Sequence, residues 1–139
     1  MELFFDNLKR QEAVTLSSVR KAALASLPVD CGNAPWRYTE RGKVVYETEE
    51  QLDCYLASYT RWHEGKLRKA FDMIPLGAFA GEISVIDWGC GQGLGTICLL
   101  EYLLDKRISC RIHEIVLVEP SMVAIRRARE LLRWIDSHL

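Results

Sequence analysis

Histidine is scarce in this chain: three residues, His63, His113 and His138, stand far apart. With no H-E-x-x-H pair and no Cys/His spacing, the clustered ligands that zinc requires are missing, and no metal site is expected. The five cysteines (Cys31, Cys54, Cys90, Cys98, Cys110) never form C-x-x-C, and an odd, scattered set argues against a disulfide framework and fits a reducing compartment. No apolar run approaches the ~18 residues of a membrane-spanning helix, and Met1-Glu2-Leu3-Phe4-Phe5-Asp6 lacks the basic start and long apolar stretch of a signal peptide. Charge of either sign is not in excess: the net value is −1, so no global field argues for nucleic acid or an anionic membrane. Repeats and low-complexity tracts are also missing. What these absences leave is a soluble, cytoplasmic chain of 139 residues, about one domain, whose 49% hydrophobic content suffices for a core.

What is present centres on Ile83 to Leu94. A β-branched run (Ile83, Val85, Ile86) ends on Asp87, glycines follow at every second position (Gly89, Gly91, Gly93), and Leu94 opens a helical pattern through Ile97, Leu100 and Leu104. Such a segment is a buried parallel strand, a tight turn without Cβ atoms, and a helix N-terminus whose N–H groups face whatever lies over the turn.

Spacing narrows the ligand. A dinucleotide fingerprint needs G-x-G-x-x-G, but Leu94 stands three residues after Gly91 and Thr96 three after Gly93. A P-loop ends in G-K-[ST], and no lysine follows these glycines before Lys106. The pattern that remains, D-x-G-x-G-x-G as Asp87-Trp88-Gly89-Cys90-Gly91-Gln92-Gly93, resembles motif I of the class I S-adenosylmethionine-dependent methyltransferases. A second strand, Ile112 to Val118, ends on Glu119 and runs into a helix from Ser121 to Asp136; with it the resemblance covers roughly a third of the chain, about one βαβ unit and its following helix.

The resemblance implies an α/β fold: an N-terminal helical region followed by an incomplete Rossmann-like β-α-β-α unit with parallel strands at about 83–88 and 112–118. It implies S-adenosylmethionine as cofactor, held by Asp87, Gly89, Cys90, Gly91, Gly93, Glu119 and Met122. Asp87 would contact the methionine end, Gly89 would allow the sharp turn, and Gly91 and Gly93 would let the backbone approach the ligand. Glu119 would accept both ribose hydroxyls, and Met122 would lie along the adenine. Each has a plainer alternative: a tight turn, a solvated strand-end acid, and a first-turn residue packed on the sheet. Cys90 is read as the small residue a crowded turn needs, since no histidine is placed to activate it as a nucleophile.

Elsewhere, residues 1–75 read as a mainly helical N-terminal region and 76–139 as the first half of an S-adenosylmethionine-binding domain. Residues 3–27 carry helical spacing up to Pro28, and 28–39 are rich in turn residues. The stretches 37–40 and 43–47, flanking Arg41-Gly42, pair as a possible small hairpin. Thr48 and Gln51 fit a capping box for a long helix whose stripe (Leu52, Leu56, Tyr59, His63, Leu67) ends by Pro75, with Gly65 as a potential kink. That stripe places His63, and beside it Trp62, in the core. Arg126, Arg129 and Arg133 share a face read as solvated, and the aromatic and basic residues Trp36–Lys43 and Arg61–Lys69 make RNA a weak candidate partner.

The family's sheet has seven strands, and its catalytic residues usually follow the fourth. Only two strands are legible here, so no catalytic residue is named. Open-edged parallel strands invite completion by a missing C-terminal half or another chain. The expected function is therefore the cofactor-binding portion of a methyltransferase of unknown acceptor, active at full length, with weak or no binding and no turnover by these residues alone. A non-catalytic S-adenosylmethionine-binding or assembly module is the alternative; an NAD-dependent oxidoreductase is disfavoured by the glycine spacing.

Overall fold

A computed structural model describes residues 1–11, 15–27, 31, 35–40 and 43–136. The protein is mixed α/β and mostly helical, with a two-stranded parallel sheet. Helices α1 (Glu2–Lys9), α2 (Leu16–Ser26), α3 (Pro35–Thr39) and α4 (Glu49–Asp72) precede strand β1 (Gly81–Trp88). Helix α5 (Leu94–Asp105), strand β2 (Cys110–Val118) and helix α6 (Met122–Asp136) follow. Both strands begin two residues earlier than expected and end where expected.

Local chemistry sets most boundaries. Thr48 Oγ1 accepts from the Gln51 amide at 3.3 Å while Gln51 Oε1 accepts from the Thr48 amide at 3.2 Å, the reciprocal cap that starts α4. Thr15 and Ser18 form a second such box at the start of α2. Gly65 does not break α4: it is exposed, and the surrounding turns carry the helix through to Asp72. Ser121 Oγ accepts from the Ala124 amide at 3.1 Å and caps α6.

The proposed hairpin is not formed by the described residues. Residues 35–39 are helical, Lys43–Glu47 carry no strand, and Arg41-Gly42 lies outside the described residues. Proline is suited to a first helical position, and Pro35 opens α3, a signal that outweighs the β-branched Val44 and Val45. A disulfide joins Cys31 to Cys54 on α4, Cα atoms 6.2 Å apart, where unpaired thiols were expected. A sequence separation of 23 hides the proximity, because the connector returns to the helix.

β1 and β2 pair in parallel from Gly81↔Cys110 to Trp88↔Val118, with His113 as an extra residue bulged out between Ile112 and Glu114. α5 packs on the start of β2 through Tyr102 and Leu103, against Cys110 and Ile112. β1 was expected to be a buried strand, but only Ile83, Val85 and Asp87 are partly covered; Ile86 is 58% and Trp88 76% exposed. Below the other side of α5 lies the main core, which draws Phe4, Leu8, Leu16 and Val19 from the first two helices, Leu56 from α4, Ile97 and Cys98 from α5, and Leu131 and Ile135 from α6.

Arg127 of α6 is fully buried. Its guanidinium donates to Asp53 and Glu49 on α4, reaches Gln92 Oε1 at 3.2 Å, and lies over the Phe4 ring at 4.4 Å. No helix among the described residues is long and apolar enough to cross a membrane.

Candidate functional site

The turn between β1 and α5 is held to the end of β2. The amides of Gly89 and Cys90 both donate to the Val118 carbonyl, at 2.8 and 3.1 Å, and Glu119 completes the junction. Glu119 Oε2 accepts from the Gly91 amide and Oε1 from the Ser121 amide, each at 2.9 Å. One carboxylate thus ties the glycine turn to the start of α6, and its remaining lone pairs stay available to a ligand hydroxyl.

Asp87, at the end of β1, accepts at Oδ2 from the Thr96 amide (3.1 Å) and hydroxyl (2.8 Å). It does for α5 what an N-cap side chain usually does, because the N-cap position is Gly93, which has none. A Cβ on Gly95 would stand 3.1 Å from Asp87 Oδ2, so glycine there is what lets the helix approach the acid. Gly95 is a residue of this turn that the sequence did not single out; its signal was a glycine in the first turn of a helix, where it costs stability.

The three motif glycines divide by role. Gly91 (φ 52°) and Gly89 line a cavity, and a Cβ on either would meet nothing within 4 Å. Gly93 (φ 81°) is buried, with its missing Cβ facing Ala128 of α6 at 3.4 Å. Gly93 thus makes room for helix packing, and it is not among the residues lining the cavity, whereas Gln92, Leu94 and Gly95 on either side of it are. Met122 is likewise outside the lining and 62% exposed.

The cavity, about 430 Å³, brings together Asp87, Gly89, Cys90, Gly91 and Glu119, and its opposite wall comes from the N-terminal half. That wall is Val44, Val45 and Tyr46 before α4, then Tyr55, His63 and Leu67 on α4. Tyr55 Oη lies 2.7 Å from His63 Nε2, and its ring packs on Tyr46 and Tyr59 at 5.5 and 5.0 Å between centroids. Burial, and then the Lys66 charge, lower the His63 pKa, while burial and neighbouring acidic groups raise those of Tyr46 and Tyr55. Cys90 is pushed up to about 11 by burial, with Asp87 and Glu119 adding to it, so it stays a thiol at neutral pH. No lysine or arginine is among the described lining residues, and two carboxylates are.

The other candidates lie elsewhere. Arg126, Arg129 and Arg133 are exposed, as expected, and Arg133 pairs with Glu130 at 3.1 Å. Trp62, expected in the core, is 71% exposed with Lys66 Nζ 5.8 Å from its ring. Arg68 is committed to Glu64, Glu101 and Asp105. Among the described residues no three His, Cys, Asp or Glu side chains are grouped to hold a metal ion. Arg127, missed in the sequence, was legible at i+3 from Ala124 and i−4 from Leu131, inside the buried stripe of α6. Comparison with family models, curated proteins and solved structures finds no match for this chain.

Proposed function

We propose that this chain is the cofactor-binding portion of an S-adenosylmethionine-dependent methyltransferase, built on an incomplete Rossmann-like unit. The observation that carries the proposal is the charge of the cavity: two acids at the carboxyl ends of adjacent parallel strands, a glycine turn between them, and no described cation. Two acids match a sulfonium and ammonium ligand with a free ribose better than a pyrophosphate, which would meet them with no described side-chain cation beside it.

The residues fit the ligand. Glu119 would accept ribose hydroxyls, Asp87 would face the methionine end, and the backbone at Gly89 and Gly91 leaves open space above the turn. Bound there, S-adenosylmethionine would supply an electrophilic methyl group. The chain's own contribution would be to bind and orient it between the glycine turn and the wall formed by α4. That the site belongs to a larger sheet is supported by the exposed face at Ile86 and Trp88.

The test is a titration of isotope-labelled protein, sensitive to weak binding. S-adenosylmethionine and S-adenosylhomocysteine are expected to move the amide resonances of Gly89 and Gly91, and NAD to leave them in place. Asp87→Asn, which keeps an acceptor for Thr96, should weaken binding with the fold intact, while Asp87→Ala also costs roughly 1 kcal/mol of stability through the lost cap. Response to NAD alone would overturn the assignment.

A further inference from the structure

The residues that line the cavity with Glu119 include Tyr46, whose hydroxyl has no partner. Tyr46 Oη is buried and makes no hydrogen bond to the described residues. Unpaired buried polar atoms are rare in folded proteins and ask for an explanation. Arg127 Nε is the other such atom among the described residues, but it is enclosed in the ion cluster and does not line the cavity.

Two contacts fix where Tyr46 stands. Ser121 Oγ donates to its carbonyl at 2.6 Å, tying it to the turn in which Glu119 accepts from the Ser121 amide. Its ring leans on Tyr55, whose own hydroxyl is committed to His63. Both phenols feel the charge of Glu119, which adds to burial in keeping them protonated. The cavity lining therefore includes one carboxylate, which only accepts, and one phenol without a partner, which can donate. A sugar hydroxyl satisfies both at once, donating to Glu119 and accepting from Tyr46.

We propose that Tyr46 is a ligand-binding residue whose hydroxyl hydrogen-bonds a sugar hydroxyl held beside Glu119, so that the site selects a ribonucleoside with a free, unphosphorylated cis-diol. The proposal rests on the adenosyl assignment above. It also gives the N-terminal half a direct part in ligand selection. A phosphate ester on the same diol would meet Glu119 with no described cation in the lining to offset it.

The experiment titrates the full chain, wild type and Tyr46→Phe, with S-adenosylhomocysteine and with its 2′-deoxy and 3′-deoxy analogues. Tyr46→Phe keeps the ring packing and removes an unpaired hydroxyl, so its Tm should equal or exceed that of the wild type. Its affinity for S-adenosylhomocysteine should fall about five- to tenfold, the worth of one hydrogen bond. One of the two deoxy analogues should then bind both proteins alike, because the hydroxyl it lacks is the partner of Tyr46. Wild type and variant binding S-adenosylhomocysteine within about twofold would overturn the role of Tyr46 alone, since a lost hydrogen bond exceeds that. No binding by the wild type would overturn the adenosyl assignment and this proposal with it. Should the variant fail to fold, the Cζ resonance of Tyr46 in the wild type decides: a shift on saturation supports the contact, and an unmoved line overturns it.

Discussion

Gly91 and Gly93 look equivalent in the sequence, yet their missing side chains serve different neighbours. One leaves space over the turn and the other admits Ala128 of α6. The alternation of glycines announces a crowded strand-to-helix junction, but which side of each residue is crowded depends on a helix that arrives some thirty residues later. Asp87 shows the same limit: a strand-end acid was legible, whereas its capping of Thr96 follows from a helix start that lacks a side chain at Gly93. His63 was read as a core residue on the α4 stripe, and the structure makes it half-buried, facing the cavity and bonded to Tyr55. Its pKa is lowered below the ordinary 6.5 by burial and by Lys66. The unfolded chain therefore binds the proton more readily than the folded one, so His63 contributes stability above about pH 6.5 that is lost as pH falls through the folded value. Wild type should lose Tm relative to His63→Gln between pH 7.5 and 5.5, because glutamine can still accept from Tyr55 and does not titrate. A Tm difference that stays constant across that range would show that the imidazole is not held neutral. Comparing the two proteins also cancels Asp53 and Glu101, whose raised pKa values act in the opposite direction.

At the scale of elements, caps and strand ends were the most legible features, because each is written in two or three adjacent residues: Thr48 with Gln51, Ser121 with Ala124, and Asp87 before the glycines. The misread segment, 35–47, has weak local signals in competition, and Pro35 decided its first part. Helix α6 was assigned correctly while its most consequential residue was passed over. Arg127 is surrounded by Asp53, Glu49 and Gln92, and Gln92 in turn donates to the Leu52 carbonyl at 3.0 Å. The cluster therefore links the glycine turn, α4 and α6. Two carboxylates around one buried guanidinium make its removal far costlier than an exposed pair would be. Arg127→Ala should cost about 3–5 kcal/mol in urea unfolding, since it leaves Asp53 buried and unpaired. The double variant Arg127→Met with Asp53→Leu should recover most of that loss, because an apolar replacement of similar volume removes the desolvation penalty along with the attraction. A double variant as unstable as the single one would mean that the pair is needed for its shape rather than its charge balance.

For the whole molecule, the sequence suggested a helical region and a cofactor-binding half meeting near residue 75, and the structure gives the two stretches one core. Leu8, Val19 and Leu56 belong to the same buried cluster as Ile97, Leu131 and Ile135, and the Arg127 cluster crosses between the halves. The cavity too has its glycine floor from one half and its tyrosine wall from the other. Periodicity could show that α2 and α4 each have an apolar face, but not that those faces are turned toward α5 and α6, since nothing local encodes a partner. A unit that folds alone needs its own core. Residues 76–139 alone would retain the small cluster around Phe79, Tyr102 and Leu103 while exposing Ile97, Cys98, Leu131 and Ile135, and would leave Arg127 without Asp53 and Glu49. A sheet of two strands does not offset that loss. The 76–139 fragment should therefore show no cooperative thermal transition, while the full chain melts in a single one followed alike by far-ultraviolet circular dichroism and by calorimetry. Mixing the fragment with residues 1–75 should restore a concentration-dependent transition, because the shared core can form between chains as well as within one. A sharp transition in the fragment alone would show that its strands and helices carry enough burial of their own, and would return the boundary near residue 75 to the standing of a domain border.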